Sequence, residues 1–135
     1  MKDCVFCKIV NNKIDNFCIH EDDVIKVFLV INPISKGHLL VIPKKHFEDI
    51  FEAPEEVLNK IMQICKEMSS LCKKKLGATG VNILNASGKD AQQSIFHLHF
   101  HVVPRYKNDS LDLWFHGKPK ENKKDINEMY KKLIS

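Results

Sequence analysis

The stretch IFHLHFHVV, residues 95–103, alternates histidine with apolar side chains and is followed by Pro104. Alternation with a period of two is typical of a β-strand whose two faces meet different surroundings. We therefore predict a strand over residues 95–103, with one face toward the core and one face carrying imidazoles. The predicted core-facing side chains are Phe96, Leu98, Phe100 and Val102, and the imidazoles are those of His97, His99 and His101.

Three imidazoles on one strand face lie too far apart to share a single metal ion. A strand rises about 3.3 Å per residue, so neighbouring histidines lie about 6.6 Å apart and the outer pair about 13 Å apart. Zinc–nitrogen bonds are only about 2.0–2.1 Å long. At least one imidazole therefore stays free to act as a nucleophile or proton carrier near neutral pH. The plainer alternative is a surface strand or metal patch without catalysis.

Polar residues just before the histidines favour a phosphate ligand. Asn85 ends the preceding predicted strand, and Gln92, Gln93 and Ser94 lie in the loop that leads to the histidines. Their amide, hydroxyl and backbone N–H groups can stabilise the oxygens of a transferring phosphoryl group. The same residue types also form ordinary turns, so each of them alone is a weak indication.

The order of elements predicts an α+β domain with an antiparallel sheet. The clearest helix runs from about Pro54 to Leu76, where apolar residues recur at helical spacing and Gly77 follows. A short helix is predicted at 4–11, a weaker one from Asp125 to Leu133, and further strands at 17–20, 24–31, 38–43 and 80–85. We expect a single domain over residues 1–135, with its core at about 4–106 and a tail at 107–135.

The composition, 44% apolar and 28% charged, is typical of a soluble globular protein. The net charge of +4 suits small anions, but the lysines are too scattered to indicate nucleic acid. No apolar run approaches ~18 residues and the first residues lack the pattern of a secretory leader, so we expect a cytoplasmic protein without a membrane partner. Five cysteines in such a chain argue against disulfides, and we expect Cys18, Cys65 and Cys72 in the core.

A second motif, GHLLVIPKKH at residues 37–46, lies upstream of the histidines. Together the two motifs resemble the histidine triad family, whose signature of three histidines alternating with apolar residues matches 97–103. The resemblance covers about residues 4–106 and is closest to microbial members near the purine nucleotide-binding, HINT-like branch. It implies a compact α+β subunit that forms homodimers and acts on purine nucleotides, commonly phosphoramidates, acyl-adenylates or dinucleoside polyphosphates.

The resemblance also implies a role for each matching residue. In the family the middle histidine, here His99, attacks the α-phosphorus and forms a nucleotidyl-imidazole, from which water releases the nucleoside monophosphate. His101 would contact the α-phosphate, and His38 would complete the histidine cluster. The phosphate oxygens would be held by Asn85, Ser94 and the backbone N–H of Ile95. The base pocket would be walled by Val5, Phe6, Ile9, Phe28 and Ile31.

One position departs from the family pattern. Eight residues before His38, where the family usually carries Asp or Asn to accept hydrogen bonds from the ribose hydroxyls, this sequence has Val30. Valine cannot accept them, so ribose binding is weakened unless Asn32 substitutes. We expect the Val30→Asp variant to bind nucleoside monophosphates more tightly, and calorimetry would show this.

The pair Cys4-x-x-Cys7 can donate two thiolates to one zinc ion. Judged from residue types alone, the other two ligands could be any two of five histidines, and a redox pair or two ordinary thiols are the alternatives. The five histidines are His20, His38, His46, His97 and His116. Some microbial family members hold a structural zinc with ligands that correspond to Cys4, Cys7, His46 and His97, which leaves His99 free.

Three other functions fit parts of the sequence. A zinc hydrolase would use a metal-bound water as the nucleophile and His99 as a ligand. A non-catalytic nucleotide-binding or partner-binding module would explain Val30 as a sign of weakened catalysis. A thiol redox protein would use Cys4 and Cys7.

Overall fold

The computed structural model describes residues 3–117 and 122–135, so residues 118–121 of the predicted tail lie outside the described part. Its five strands form one antiparallel sheet in the order β1-β2-β3-β5-β4. The strands are β1 (Cys18–Glu21), β2 (Ile25–Leu29), β3 (Leu39–Pro43), β4 (Gly80–Leu84) and β5 (Phe100–Arg105). The helices are α1 (Val5–Val10), α2 (Glu55–Leu76) and α3 (Lys123–Ile134), with a short 3₁₀ turn at Lys89–Ala91. The predicted α+β class is confirmed.

The sheet is covered on both faces, which explains the continuous apolar run of β3. The long helix α2 covers one face and buries its stripe, including Ile61, Ile64 and Cys65, against alternate strand residues such as Val41. The short helix α1 covers the other face, where Phe6 and Ile9 pack with Phe28, Leu40 and Ile42. All five residues of β3 are buried, as expected for a strand enclosed on both faces.

Helix α2 has the predicted bounds and clear end signals. Glu55 and Glu56 occupy its first turn, at the positive end of the helix dipole, and Lys73–Lys75 occupy its last turn, at the negative end. Both sets of charges therefore stabilise the helix. Gly77 ends the helix in the left-handed conformation with φ 75°, which costs glycine little. Helix α2 joins β3 to β4, and the two motifs that the sequence singled out are brought side by side by the direct pairing of β3 with β5.

The predicted strand at 95–103 is wrong in its first half, because regular pairing begins only at Phe100. Residues 95–99 run beside the segment after β3, where the Leu98 N–H donates to the Phe47 carbonyl. Leu98, Phe100 and Val102 are buried as predicted. Phe96 is 42% exposed, which contradicts its predicted core position, since it lies outside the paired strand.

Two outer parts of the chain also differ from expectation. Cys18 is exposed rather than in the core, because β1 is an edge strand with little cover. The terminal helix α3 begins at Lys123, two residues before the predicted start, where Asn122 and Asp125 form a capping box. No described residue of α3 is buried. Among the described residues no helix is both long and apolar enough to cross a membrane.

Candidate active site

Strand pairing brings the fourth histidine to the triad. Leu40 on β3 pairs with His101 on β5, and His38 lies two residues before Leu40. The two imidazole centroids are 5.1 Å apart, and His99 lies 5.2 Å from His101 on the other side. His99 and His101 share the α1 side of the sheet with His97, so the predicted common face holds although the strand is shorter.

The backbone fixes the tautomer of His99. Its Nδ1 lies 2.8 Å from the carbonyl oxygen of His97. A carbonyl only accepts hydrogen bonds, so Nδ1 carries the proton and Nε2 keeps a free lone pair. The Asn85 side-chain amide donates to the carbonyl of His99 at 3.0 Å and holds this residue from the next strand.

A second chain of hydrogen bonds orients His38 and His101. The backbone N–H of Ile34 donates to His38 Nδ1 at 3.3 Å, so the proton of neutral His38 resides on Nε2. That Nε2 donates to His101 Nδ1 at 2.9 Å. His101 therefore carries its own proton on Nε2 and presents a donor beside the lone pair of His99.

Burial keeps these imidazoles neutral. Burial lowers the pKa of His99 and of His38 from the usual 6.5. Burial and then the neighbouring His99 and His38 lower the pKa of His101 to about 4. A cluster of neutral imidazoles with fixed tautomers supplies one acceptor and one donor without charge repulsion.

Helix α1 places an aromatic ring against the nucleophile candidate. The Phe6 ring lies edge-on to His99 at 5.0 Å and to Phe28 at 5.8 Å between centroids. Of the predicted base-pocket residues, Phe6, Ile9 and Phe28 are at most 8% exposed, whereas Ile31 is 76% exposed. Val5 is half-buried at the edge of the same cluster. The rings of Phe6 and Phe28 are therefore buried in this cluster, whereas the side chains of Ile31 and Val5 remain accessible to a ligand.

The residues just before the triad differ in burial and in hydrogen bonding. Gln93 is 5% exposed, and its amide donates to the carbonyls of Glu48 and Ile95 while its oxygen accepts from the Gly88 N–H. Both amide hydrogens are thus engaged with the backbone. Ser94 is exposed and Ile95 half-buried, and both line a cavity of about 280 Å³ with Asp3, Cys4, Val5 and Phe96.

A second cavity, of about 360 Å³, opens beside His38 where β2 ends and β3 begins. We call it the His38 pocket. Val30 also packs against the α1 cluster, which connects this pocket to the triad side of the sheet. Asn32 is exposed on the same loop. The pocket is lined by Phe17, Leu29, Val30, Ile31, Pro33, Gly37 and His38.

Four potential metal ligands meet at the start of α1. The ligand atoms of Cys4, Cys7, His46 and His97 all lie within 4.8 Å of one another. The Sγ atom of Cys7 is 3.4 Å from His46 Nδ1 and 3.5 Å from His97 Nδ1. Tetrahedral zinc with Zn–S of about 2.3 Å and Zn–N of about 2.0–2.1 Å separates sulfur and nitrogen ligands by about 3.6 Å. The cluster therefore has the dimensions of a zinc site.

The chemistry of the four groups also fits a cation. His97 is fully buried and donates from Nε2 to the Pro43 carbonyl at 2.8 Å, so its Nδ1 lone pair faces the thiols. Burial and the adjacent Cys4 raise the pKa of the Cys7 thiol to about 11, which a bound cation would reverse. Of the other histidines, His20 is half-buried beside Asp22, and His116 is exposed beside Asp112.

One residue that positions the site was missed in the sequence. Lys26 is fully buried, and its ammonium group donates to the carbonyl of Ile9, near the end of α1, and to the side chain of Asn12. It ties α1 to β2, and so holds Phe6 and the two cysteines over the sheet. The sequence could have indicated its burial, because Lys26 lies between Ile25 and Val27 in the middle of a predicted strand.

Comparison with known proteins identifies the family of the chain. The sequence model of the HIT domain matches residues 11–108. A HIT-like protein of Methanocaldococcus jannaschii is 43% identical over 131 residues, which cover 96% of this chain and 98% of that protein. The adenylylsulfatase HINT3 of Arabidopsis thaliana is 38% identical over 81% of this chain and 55% of its own length. The adenosine 5′-monophosphoramidase HNT1 of Saccharomyces cerevisiae is 36% identical over 76% of this chain and 62% of its own length.

Solved structures agree with the fold. A Streptococcus mutans protein superposes with a TM-score of 0.91 at 31% identity, covering 99% of this chain and 85% of its own. A zinc-bound histidine triad protein of Mycobacterium smegmatis superposes with a TM-score of 0.80 at 33% identity, covering 98% and 96%. The matched domain, the four clustered histidines and these relatives together show that the chain belongs to the histidine triad (HIT) family, near the branch of HINT3 and HNT1.

Proposed function

We propose that the protein is a nucleotide hydrolase or transferase in which His99 attacks the α-phosphorus of a purine nucleotide. The observation that carries this proposal is the free Nε2 lone pair of His99, left by the bond from Nδ1 to the His97 carbonyl. The names of the related HINT3 and HNT1, an adenylylsulfatase and a phosphoramidase, support it, because both describe cleavage at an adenylyl phosphorus.

The reaction would proceed in two displacements. His99 Nε2 forms a bond to phosphorus while the bond from phosphorus to the leaving group breaks, which gives a nucleotidyl-histidine. Water then attacks phosphorus, the nitrogen–phosphorus bond breaks, and the nucleoside monophosphate leaves. The Nε2–H of His101 would donate to a phosphoryl oxygen throughout, because the His38 hydrogen bond fixes that proton in place.

The phosphate cradle would be completed by the segment before the triad. Ser94 and the Ile95 N–H border the cavity next to α1, and Asn85 keeps one amide hydrogen beyond its bond to the His99 carbonyl. Gln93 would position this segment rather than contact the phosphate, since its amide is engaged with Glu48 and Ile95. The candidate substrates are nucleoside phosphoramidates, acyl-adenylates and dinucleoside polyphosphates.

The Cys4, Cys7, His46 and His97 cluster would hold a structural zinc ion. Four protein ligands complete a tetrahedral shell and leave no open position for a metal-bound water, which argues against the zinc-hydrolase alternative. When bound, the ion supplies a crosslink between α1 and the segment that precedes β5. This segment includes His97, whose carbonyl orients His99.

We also propose that the protein forms a homodimer through β4. This strand lies at one edge of the sheet, and Val81 and Ile83 are each 38% exposed there. Both residues line a groove against α2 with Met62, which is 48% exposed. An unpaired edge beside an apolar groove is a typical site for pairing with a second chain.

The test is turnover of an adenosine phosphoramidate by purified protein. The wild type should release adenosine monophosphate, and His99→Ala should abolish release while keeping the circular dichroism and melting temperature of a folded protein. His116→Ala, at an exposed histidine that contacts Asp112, is the matched control and should retain activity. Equal turnover by His99→Ala and wild type would overturn the proposal.

A further inference from the structure

The Ser87 hydroxyl contacts Asn85, although Ser87 was not among the residues predicted for the site. It accepts a hydrogen bond from the backbone N–H of Ile50 at 3.0 Å and donates one to Asn85 Oδ1 at 2.8 Å. The Asn85 amide donates in turn to the His99 carbonyl at 3.0 Å. A chain of three hydrogen bonds therefore runs from the segment after β3 to the backbone of His99.

The chemistry of the groups fixes the direction of this chain. A serine hydroxyl carries one proton, and a carboxamide has one oxygen that only accepts and one nitrogen that only donates. The Ile50 N–H can only donate, so the Ser87 proton is left for the Asn85 oxygen. A flipped Asn85 amide would set its oxygen against the His99 carbonyl, and two acceptors would then face each other without a proton between them. The Ser87 proton therefore selects one orientation of the Asn85 amide.

The segment that supplies the first donor is held against the histidine segment. The backbone N–H of Leu98 donates to the Phe47 carbonyl at 2.7 Å, three residues before Ile50. The buried amide of Gln93 donates to the next carbonyl along the same stretch, also at 2.7 Å. Ser87 is half-buried, which limits the access of water to its hydroxyl. The Ile50 N–H is therefore a fixed donor, and it sets the direction of the Ser87 hydroxyl.

We propose that Ser87 is a positioning residue for the reaction at His99 and that it acts through the side chain of Asn85. The inference rests on the proposed function and adds to it a residue that works without contacting the substrate. By fixing the Asn85 amide, Ser87 holds the backbone carbonyl of His99 in place. It also aims the second amide hydrogen of Asn85, because the two hydrogens of a planar amide are fixed once its oxygen is bonded. The rate of the chemical step depends on such fixed geometry.

The test is a double-mutant cycle of Ser87→Ala and Asn85→Ala, measured as kcat and KM with adenosine 5′-phosphoramidate. Ser87→Ala should lower kcat about five- to tenfold, the effect of one neutral hydrogen bond. Its KM should stay unchanged, because the loss falls on the chemical step. In the Asn85→Ala background Ser87→Ala should have no further effect on kcat, since a residue that acts through a second one loses its effect when the second is removed.

Further variants separate positioning from general stability. Ser87→Thr keeps the hydroxyl and should restore kcat close to the wild-type value. Ser69→Ala is the matched control, because this half-buried serine of α2 loses the bond from its hydroxyl to the Cys65 carbonyl and should keep the wild-type kcat. Ser87→Cys keeps the size of the side chain but has only a weak donor, so it takes the place of Ser87→Ala if the alanine variant does not fold.

The outcomes separate this inference from the proposed function. A wild-type kcat in Ser87→Ala, or in Ser87→Cys where that variant replaces it, would overturn the inference and leave the hydrolase function intact. An equal loss of kcat with and without the Asn85 side chain would also overturn it, because Ser87 would then act independently of Asn85. Lack of turnover by the wild type would overturn the proposed function and the inference together.

Discussion

His99 and His97 differ in which ring nitrogen donates to a backbone carbonyl. His97 donates from Nε2 to the Pro43 carbonyl and leaves Nδ1 for the thiols, while His99 donates from Nδ1 to the His97 carbonyl and leaves its Nε2 lone pair free. The same side chain in two tautomers therefore has two roles, one suited to a metal and one to nucleophilic attack. Backbone carbonyls set both, so neither role depends on a charged partner.

The depressed pKa values predict how stability depends on pH. The pKa of His101 is lowered to about 4 and that of His38 below 6.5, chiefly by burial. Between these pKa values and 6.5, His38 and His101 bind protons in the unfolded chain but stay neutral in the folded chain. Their contribution to the free energy of unfolding is therefore fully present above pH 6.5 and is lost as the pH falls toward 4. We expect the melting temperature to fall over this range, and to fall less steeply in His101→Gln. Equal slopes in wild type and variant would contradict the assignment.

Gln93 and Ser94 are adjacent but should respond differently to alanine. The buried Gln93 amide makes three backbone hydrogen bonds, so Gln93→Ala should lower stability by about 1–3 kcal/mol in denaturant unfolding. Ser94 is exposed, so Ser94→Ala should leave stability unchanged and lower kcat about tenfold or more if its hydroxyl meets the phosphate. A loss of stability in Ser94→Ala together with a stable but slow Gln93→Ala would show that Ser94 positions the segment and that Gln93 contacts the phosphate.

At the scale of elements, α1 is a short helix that depends on anchors at both ends. Lys26 donates to the carbonyl of Ile9 near its end, and Cys4 and Cys7, two potential metal ligands that contact His97, lie at its start. Six residues are too few for an isolated helix to be stable in water. The packing of Phe6 against His99 therefore relies on these two attachments.

This dependence predicts the effect of metal removal. A chelator such as EDTA should release one zinc ion per chain, measured by atomic absorption, and lower the melting temperature. Cys7→Ser should show the same loss, whereas Cys18→Ser on the exposed edge strand is the matched control and should melt like wild type. A zinc-free protein with an unchanged melting temperature would contradict a structural role.

The histidine segment shows which features of the site could be predicted from the sequence and which could not. Period-two alternation correctly indicated that Leu98, Phe100 and Val102 are buried and that the histidines share a side. It did not show that pairing begins at Phe100, because alternation indicates which face a side chain lies on and not which residues form hydrogen bonds. The buried Lys26 and the bond from Asn85 to the His99 carbonyl depend on contacts distant in the chain, which single-residue patterns do not contain.

At the scale of the whole molecule, the sheet has two edges with different character. The β4 edge carries Val81 and Ile83 beside the α2 groove, and the β1 edge carries Ile19, which is 41% exposed. We expect Ile83→Lys to convert a dimer to a monomer in sedimentation, since a charge on a paired edge is costly. Ile19→Lys on the opposite edge should remain dimeric. A monomeric wild type, or a dimer insensitive to Ile83→Lys, would contradict the assembly.

In the proposed reaction a metal-free imidazole, that of His99, takes up a nucleotidyl group. Rapid acid-free quenching of the protein with an adenosine phosphoramidate, followed by digestion and mass spectrometry, locates any adduct to a single residue. We expect one adenylyl group on His99 Nε2, absent from His99→Ala and lost on incubation in water. An adduct on another residue, or turnover by the wild type with no phosphorus–nitrogen adduct under conditions that preserve such bonds, would contradict it.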